Sequence, residues 1–104
     1  MAVISMMRME GDPDELASAM REKVRPVAAR LAEKHGGLGT IVARTPTGVL
    51  MINLWESEEG RHGMAQEPEI QEAVAAAGLG SPQFEAFEVI DMTITDRAVT
   101  GAPA

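Results

Sequence analysis

The segment from Val49 to Glu56 is apolar on both of its faces. Side chains alternate across a strand, so Val49, Met51, Asn53 and Trp55 line one side and Leu50, Ile52 and Leu54 the other. A sheet with one face in water leaves one parity polar. Neither parity is polar here, so protein must lie on both sides of this strand. The chain has too few helical segments to cover both faces of a sheet. For a chain of 104 residues, the simplest source of a second layer is another copy of itself.

The rest of the chain supplies the partners of that strand. Ala2 to Glu10 reads as a first strand, with Val3, Ser5, Met7 and Met9 on one parity and Ile4, Met6 and Arg8 on the other. Gly11 ends it. Asp12 reads as a helix N-cap, with Pro13 at the first helical position and Glu15 in the first turn. Leu16, Met20, Val24, Val27 and Leu31 recur at steps of three or four, the period of a core-facing helix. Pro26 falls inside that pattern, removes one backbone donor and crowds the carbonyl of Glu22, which predicts a kink. His35, Gly36 and Gly37 close the helix.

Gly39 to Arg44 and Val49 to Glu56 are joined by the turn Thr45-Pro46-Thr47-Gly48 and form a hairpin. Ser57 caps a second helical region that Gly60 and Gly63 weaken. Pro68 opens a fresh helix carrying Ile70, Val74 and Ala77, and Gly78 and Gly80 stop it. Gln83 to Thr95 reads as the last strand, with Phe84, Phe87, Val89, Ile90, Met92 and Ile94. The tail from 96 to 104 is expected to be loose.

The order β-α-β-β-α-β is the ferredoxin-like, split βαβ arrangement of the α+β class, within one domain over residues 1–95. Both helices then lie on one face of a four-stranded antiparallel sheet. Met6, Met9, Met51 and Met92 line either the helix side or the bare side, and the sequence leaves that parity open. A bare apolar sheet is an aggregation hazard. Pairing it with a second copy, at about 800 Å² per partner, removes the hazard and predicts a homodimer.

Charge narrows the partners. Sixteen acidic residues against nine basic ones give a net charge of -7, with no basic run to neutralise phosphates. Nucleic acid and anionic membrane surfaces are therefore not expected partners. The N-terminus lacks a basic stretch followed by an apolar run, and no segment approaches ~18 continuous apolar residues, so a cytoplasmic location is expected. The absence of cysteine removes disulfides and thiolate chemistry, and the absence of tyrosine removes phenol-based acid catalysis.

The segment richest in chemistry runs from Asn53 to Met64, off the end of a strand into a weak helix. Asn53 and Trp55 share a face. A strand asparagine needs hydrogen-bond partners and is suited to anchoring a ligand carbonyl or oxyanion, and Trp55 is suited to an aromatic wall. The plainer alternative has Asn53 bonded to neighbouring backbone and Trp55 filling the gap between sheet and helix. His62 is a candidate general base, with exposure as its alternative. His35 suits the helix C-terminal dipole. Arg8 and Arg44 are candidates to hold an anionic substrate or to pair at the rim, and Glu88 to pair across a dimer or act as a base. The two histidines are 27 positions apart and form no recognised metal-ligand pair, so no metal is expected.

The strand order and the junction Leu54-Trp55-Glu56-Ser57-Glu58-Glu59 together resemble the antibiotic biosynthesis monooxygenase-like proteins of the dimeric α+β barrel superfamily. The resemblance covers Val3 to about Ile94. It implies pairing into a dimeric barrel and chemistry without metal or flavin, in which a deprotonated phenolic substrate reacts directly with dioxygen. By that resemblance Asn53 and Trp55 hold the substrate and its oxyanion, with His62 beside them. The pocket is expected between sheet and helices, with Arg8, Met51, Met64 and Phe87 contacting a hydrophobic aromatic substrate. The implied activity is a cofactor-independent monooxygenase on aromatic polyketide-like compounds. A cyclase or isomerase on the same scaffold, or a non-catalytic ligand-binding dimer, are the alternatives.

Overall fold

Each element of the computed structural model, which describes residues 1–80 and 82–93, follows from local chemistry. Strand β1 is Val3–Glu10. The Asp12 carboxylate accepts from the backbone N–H of Asp14 and Glu15 at 2.9 and 3.1 Å and starts helix α1, Pro13–Ala19. That helix widens into a single π turn, Met20–Val24, in which Arg25 N–H donates to Met20 O, and continues as α2, Arg25–Ala32. The kink expected at Pro26 thus takes the form of a π turn just before it. Pro26 has no N–H to give to Glu22, and a wider turn accommodates its ring.

Strands β2, Gly37–Arg44, and β3, Gly48–Trp55, form the hairpin. β2 begins two residues earlier than the sequence suggests, with an irregularity between Gly37 and Gly39. Ser57 Oγ accepts from Gly60 N–H at 3.0 Å and caps α3, Glu58–Ala65. Helix α4, Pro68–Ala77, ends on Gly78 in the left-handed conformation at φ +64°. Strand β4 is Gln83–Glu88.

The sheet order is β2-β3-β1-β4, antiparallel throughout, the ferredoxin-like α+β arrangement expected. β4 is shorter than the expected Gln83 to Thr95. Its pairing with β1 ends where Glu88 lies opposite Val3, and Val89 N–H donates to Ala2 O at 2.9 Å just past it. Ile90 and Met92 are exposed past the strand. Ser81, Ile94, Thr95 and the tail from 96 to 104 lie outside the described residues.

Burial settles which parity faces the helices. Val3, Ser5 and Met9 on β1 and Val49 and Trp55 on β3 are buried, so this parity lies under the helix layer. Met51 shares it. Ile4, Met6, Leu50, Ile52 and Leu54 are only half-buried on the opposite face, beside Ile41 at 62% and Phe87 at 50% exposure. The bare sheet face is thus a largely apolar surface that none of the described helices covers.

The covered face holds two apolar clusters rather than one. The first is Val3, Leu31, Trp55 and Met64, with Val27, Ala28 and Ile70 against it. The second is Met9, Met20, Val49 and Leu79, with Met7, Leu16, Met51, Val74 and Ala77.

Candidate functional site

A polar row separates the two clusters. Antiparallel register sets Thr40 of β2 opposite Asn53 of β3, Asn53 opposite Ser5 of β1, and Ser5 opposite Ala86 of β4. Opposed residues project to the same face, so Thr40, Asn53 and Ser5 run side by side across the helix-facing surface. Thr40 Oγ1 donates to Asn53 Oδ1 at 2.8 Å. The Trp55 indole Nε1–H donates to Ser5 Oγ at 3.0 Å.

These two bonds divide the roles. Trp55 is 8% exposed and Ser5 2%, so the indole is a packed wall whose donor is already engaged. The packing alternative raised for Trp55 is the geometry found. Asn53 is half-buried, and its Nδ2 makes no hydrogen bond among the described residues. With Oδ1 occupied by Thr40, the amide presents its two N–H donors. The row's solvent-accessible end is at β2, where Thr40 is exposed. The site is therefore a donor at the boundary of two apolar clusters, reached from one edge of the sheet and able to bond an oxygen of a bound molecule.

The other residues singled out in the sequence are dispersed. Met64 is buried beside Trp55, and Met51 belongs to the second cluster. Arg8 and Phe87 lie on the opposite sheet face: their neighbours across β1 and β3 or β4, Leu50 and Ile4, belong to the bare parity. Neither side chain therefore projects to the helix-covered side of the sheet. The parity of β1 puts Arg8 out of step with the buried Val3, Ser5 and Met9. Arg8 instead borders a cavity of about 380 Å³ at the far end of β1, with Glu10, Thr45, Thr47, Leu79 and Gln83, and Asn53 does not line it. Arg44 pairs with Asp14 at 2.7 Å and ties β2 to α1. Glu88 is exposed at the end of β4.

The two histidines exchange the importance expected of them. His62 is exposed on α3, its Nε2 3.1 Å from Gln66 Nε2 one turn on. His35 is the interior one. Its Nε2 lies 2.9 Å from Glu67 Oε1, and Lys34 Nζ reaches the same oxygen at 3.0 Å. The ring lies against Gly63, where a Cβ would sit 2.9 Å from Nδ1, and the His35 carbonyl lies against Gly60. The glycines that weaken α3 as a sequence are what let the α2–β2 loop pack onto it.

The His35 bond, then Lys34, holds the Glu67 carboxyl below its usual range. A depressed carboxylate stabilises the fold above its unfolded pKa, and this contribution fades as pH falls through the folded value. Glu67→Gln is expected to lower the melting temperature at pH 7, and the gap from the native protein should close as pH falls below about 4.5, the ordinary glutamate value. Calorimetry across pH 3–7 measures it, and a gap that persists unchanged in acid would contradict the assignment.

Sequence reasoning did not single out Thr40 or Ser5. Ser5 had a signal, as the one small polar residue within the buried parity Val3, Ser5, Met7 and Met9. Thr40 had none, because its pairing with Asn53 depends on a register that contains the irregularity at Gly37 and Gly39.

With this geometry in place, the class is an α+β sheet covered by helices on one side and carrying a polar row beneath them. The same fold is that of antibiotic biosynthesis monooxygenase-type proteins. The chain superposes on ActVA-Orf6 of Streptomyces coelicolor, a monooxygenase solved with the ligand nanaomycin D, with TM-score 0.68 and 17% identity over 91% of this chain and 92% of that one. It superposes on SnoaB of Streptomyces nogalater, a cofactor-independent oxygenase, with TM-score 0.64 and 16% identity over 88% of this chain and 93% of that one. Rv0793 of Mycobacterium tuberculosis matches with TM-score 0.68 and 14% identity over 90% and 100% of the respective chains. No family model matches the chain, and no curated protein does.

Proposed function

We propose that the chain is a cofactor-independent oxygenase of an aromatic, polyketide-like substrate, working as a cytoplasmic homodimer. The observation that supports it most is the free amide donor of Asn53, fixed between two apolar clusters, in a fold that SnoaB and ActVA-Orf6 share. A flat phenolic substrate lies against the apolar clusters with its oxygen at Asn53 Nδ2. As the phenol ionises, charge gathers on that oxygen, and a donor already in place stabilises it without reorganising. The electron pair delocalises to ring carbon, which bonds to dioxygen. Loss of water from the resulting hydroperoxide leaves the quinone, so one dioxygen gives one quinone oxygen and one water. Met51 and Met64 supply the apolar lining and Trp55 the wall behind it. Among the described residues, no helix is long and apolar enough to cross a membrane.

Oxygen uptake by the purified protein with a hydroxylated anthrone tests the reading. Stoichiometric quinone formation is expected, and an uptake rate equal to that of buffer would refute it. A second reading has one observation in its favour: among the described residues, no imidazole or carboxylate bonds to the polar row. On that reading the row binds an already ionised ligand and performs no chemistry. The same assay separates the two, since a binder shows saturable anthrone binding without oxygen consumption.

The bare face carries the dimer expectation. Ile4, Met6, Ile41, Leu50, Ile52, Leu54 and Phe87 make most of it apolar, with Glu85 beside Met6 and Gln83 beside Arg8 toward the β4 edge. Ile52→Glu puts a charge at its centre, which a dry interface cannot solvate. Sedimentation is expected to show the native protein as a dimer at micromolar concentration and Ile52→Glu as a monomer with unchanged far-UV circular dichroism. A native protein that sediments as one subunit would rule out the pairing.

A further inference from the structure

We infer that Thr40 is a positioning residue for Asn53 and sets which end of its amide faces the substrate. This inference rests on the reading of Asn53 as the oxyanion donor. A side-chain amide has an acceptor end and a donor end of nearly equal size. A half-exposed asparagine without a fixed partner presents either end, and only one of them stabilises a developing negative charge. Asn53 has one such partner. Thr40 is a hydroxyl, and its Oγ1 approaches Oδ1 at 2.8 Å, the distance of a full hydrogen bond. In this arrangement the Thr40 hydroxyl donates to Oδ1, which turns toward β2 and leaves Nδ2 as the free end.

Two features make this more than an incidental contact. Thr40 is the row's outermost member, on an edge strand, so its hydroxyl reaches only one neighbour across the sheet, Asn53. On the other side of Asn53, Ser5 already accepts from the Trp55 indole, so the row's two hydrogen bonds are laid out separately and do not compete. The pair Thr40–Asn53 also sits where the row meets solvent. A valine there would keep the strand and the shape and remove only the bond that orients the amide.

The test uses the full chain with a hydroxylated anthrone and dioxygen. Thr40→Val is expected to lower kcat about tenfold with KM within about twofold, because the loss falls on an interaction made mainly with the charged transition state. Thr40→Ser restores the hydroxyl and should recover kcat to within about threefold of the native value. In an Asn53→Ala background, Thr40→Val should have no further effect, since the group it positions is gone. An unchanged kcat in Thr40→Val, or the same tenfold loss with and without Asn53, overturns the inference. The side-chain amide resonances of Asn53 give a readout independent of turnover. Their chemical shifts are expected to move in Thr40→Val, as the environment of the amide changes, and to return in Thr40→Ser. Signals identical in Thr40→Val overturn the positioning role even if the anthrone is turned over. Signals that respond as expected, in a protein that consumes no oxygen, refute the oxygenase reading and leave the positioning intact.

Discussion

Gly60→Ala is expected to lower the melting temperature by more than about 10 °C, although alanine is the better helix former. Gly60 lies in α3, and intrinsic propensity alone favours alanine there by about 1 kcal/mol. The opposing effect is steric. An added Cβ would stand 2.1 Å from the His35 carbonyl oxygen, far inside contact distance. That oxygen belongs to backbone and has little room to retreat. His35 N–H donates to Ala32 O at 3.1 Å, and Gly36 O accepts from Glu56 N–H at 2.8 Å, so the loop is held on both sides. Overpacking against fixed neighbours costs typically 1–3 kcal/mol and sometimes more, and a domain of this size loses roughly 4–8 °C per kcal/mol. Overlap therefore outweighs propensity. Gly63→Ala meets the His35 ring rather than backbone, so its loss should be smaller. Thermal unfolding of the two variants side by side checks the argument, and a Gly60→Ala protein as stable as the native one would mean that α3 and the His35 loop are not packed as described.

Asn53→Ala is expected to reduce kcat for anthrone oxidation by about 100-fold, the scale of losing one preorganised oxyanion donor. The change removes the free Nδ2 donor and the acceptor of Thr40 together. Stability should barely move, because Asn53 is half-buried and Thr40 is exposed, so the orphaned hydroxyl finds water. This separation of effects makes the experiment sharp: lost turnover in a protein that melts and sediments normally assigns the loss to chemistry. Turnover within about twofold of native would remove Asn53 from the mechanism.

The sequence's hydrophobic patterning carried most of the architecture. The alternation of β1 and β3, the Asp12 and Ser57 caps, and the Pro68 helix start correspond to observed elements. These features act over a few residues, within reach of propensity and capping rules. The extent of β4 was less accessible. Its apolar residues continue past Glu88, but the ladder with β1 stops where Glu88 meets Val3, and a pairing between strands that distant in the chain is not written in local side-chain preference. The candidate site was legible only in part. Asn53 and Trp55 stood out as an amide and an indole on one face, while their partners Thr40 and Ser5 lie 13 and 50 positions away in the chain.

The two histidines mark the same boundary. By type and place, His62 was the better candidate for a base, yet helical phase turns it to solvent, and the packing of α3 against the α2–β2 loop draws His35 inward to Glu67. That β3 carries apolar residues on both parities was legible from sequence alone, because a period of two survives any register. Which parity the helices cover, and that Thr40, Asn53 and Ser5 form one row beneath them, was decided only when strands distant in the chain met at a particular register, and no local preference encodes that meeting.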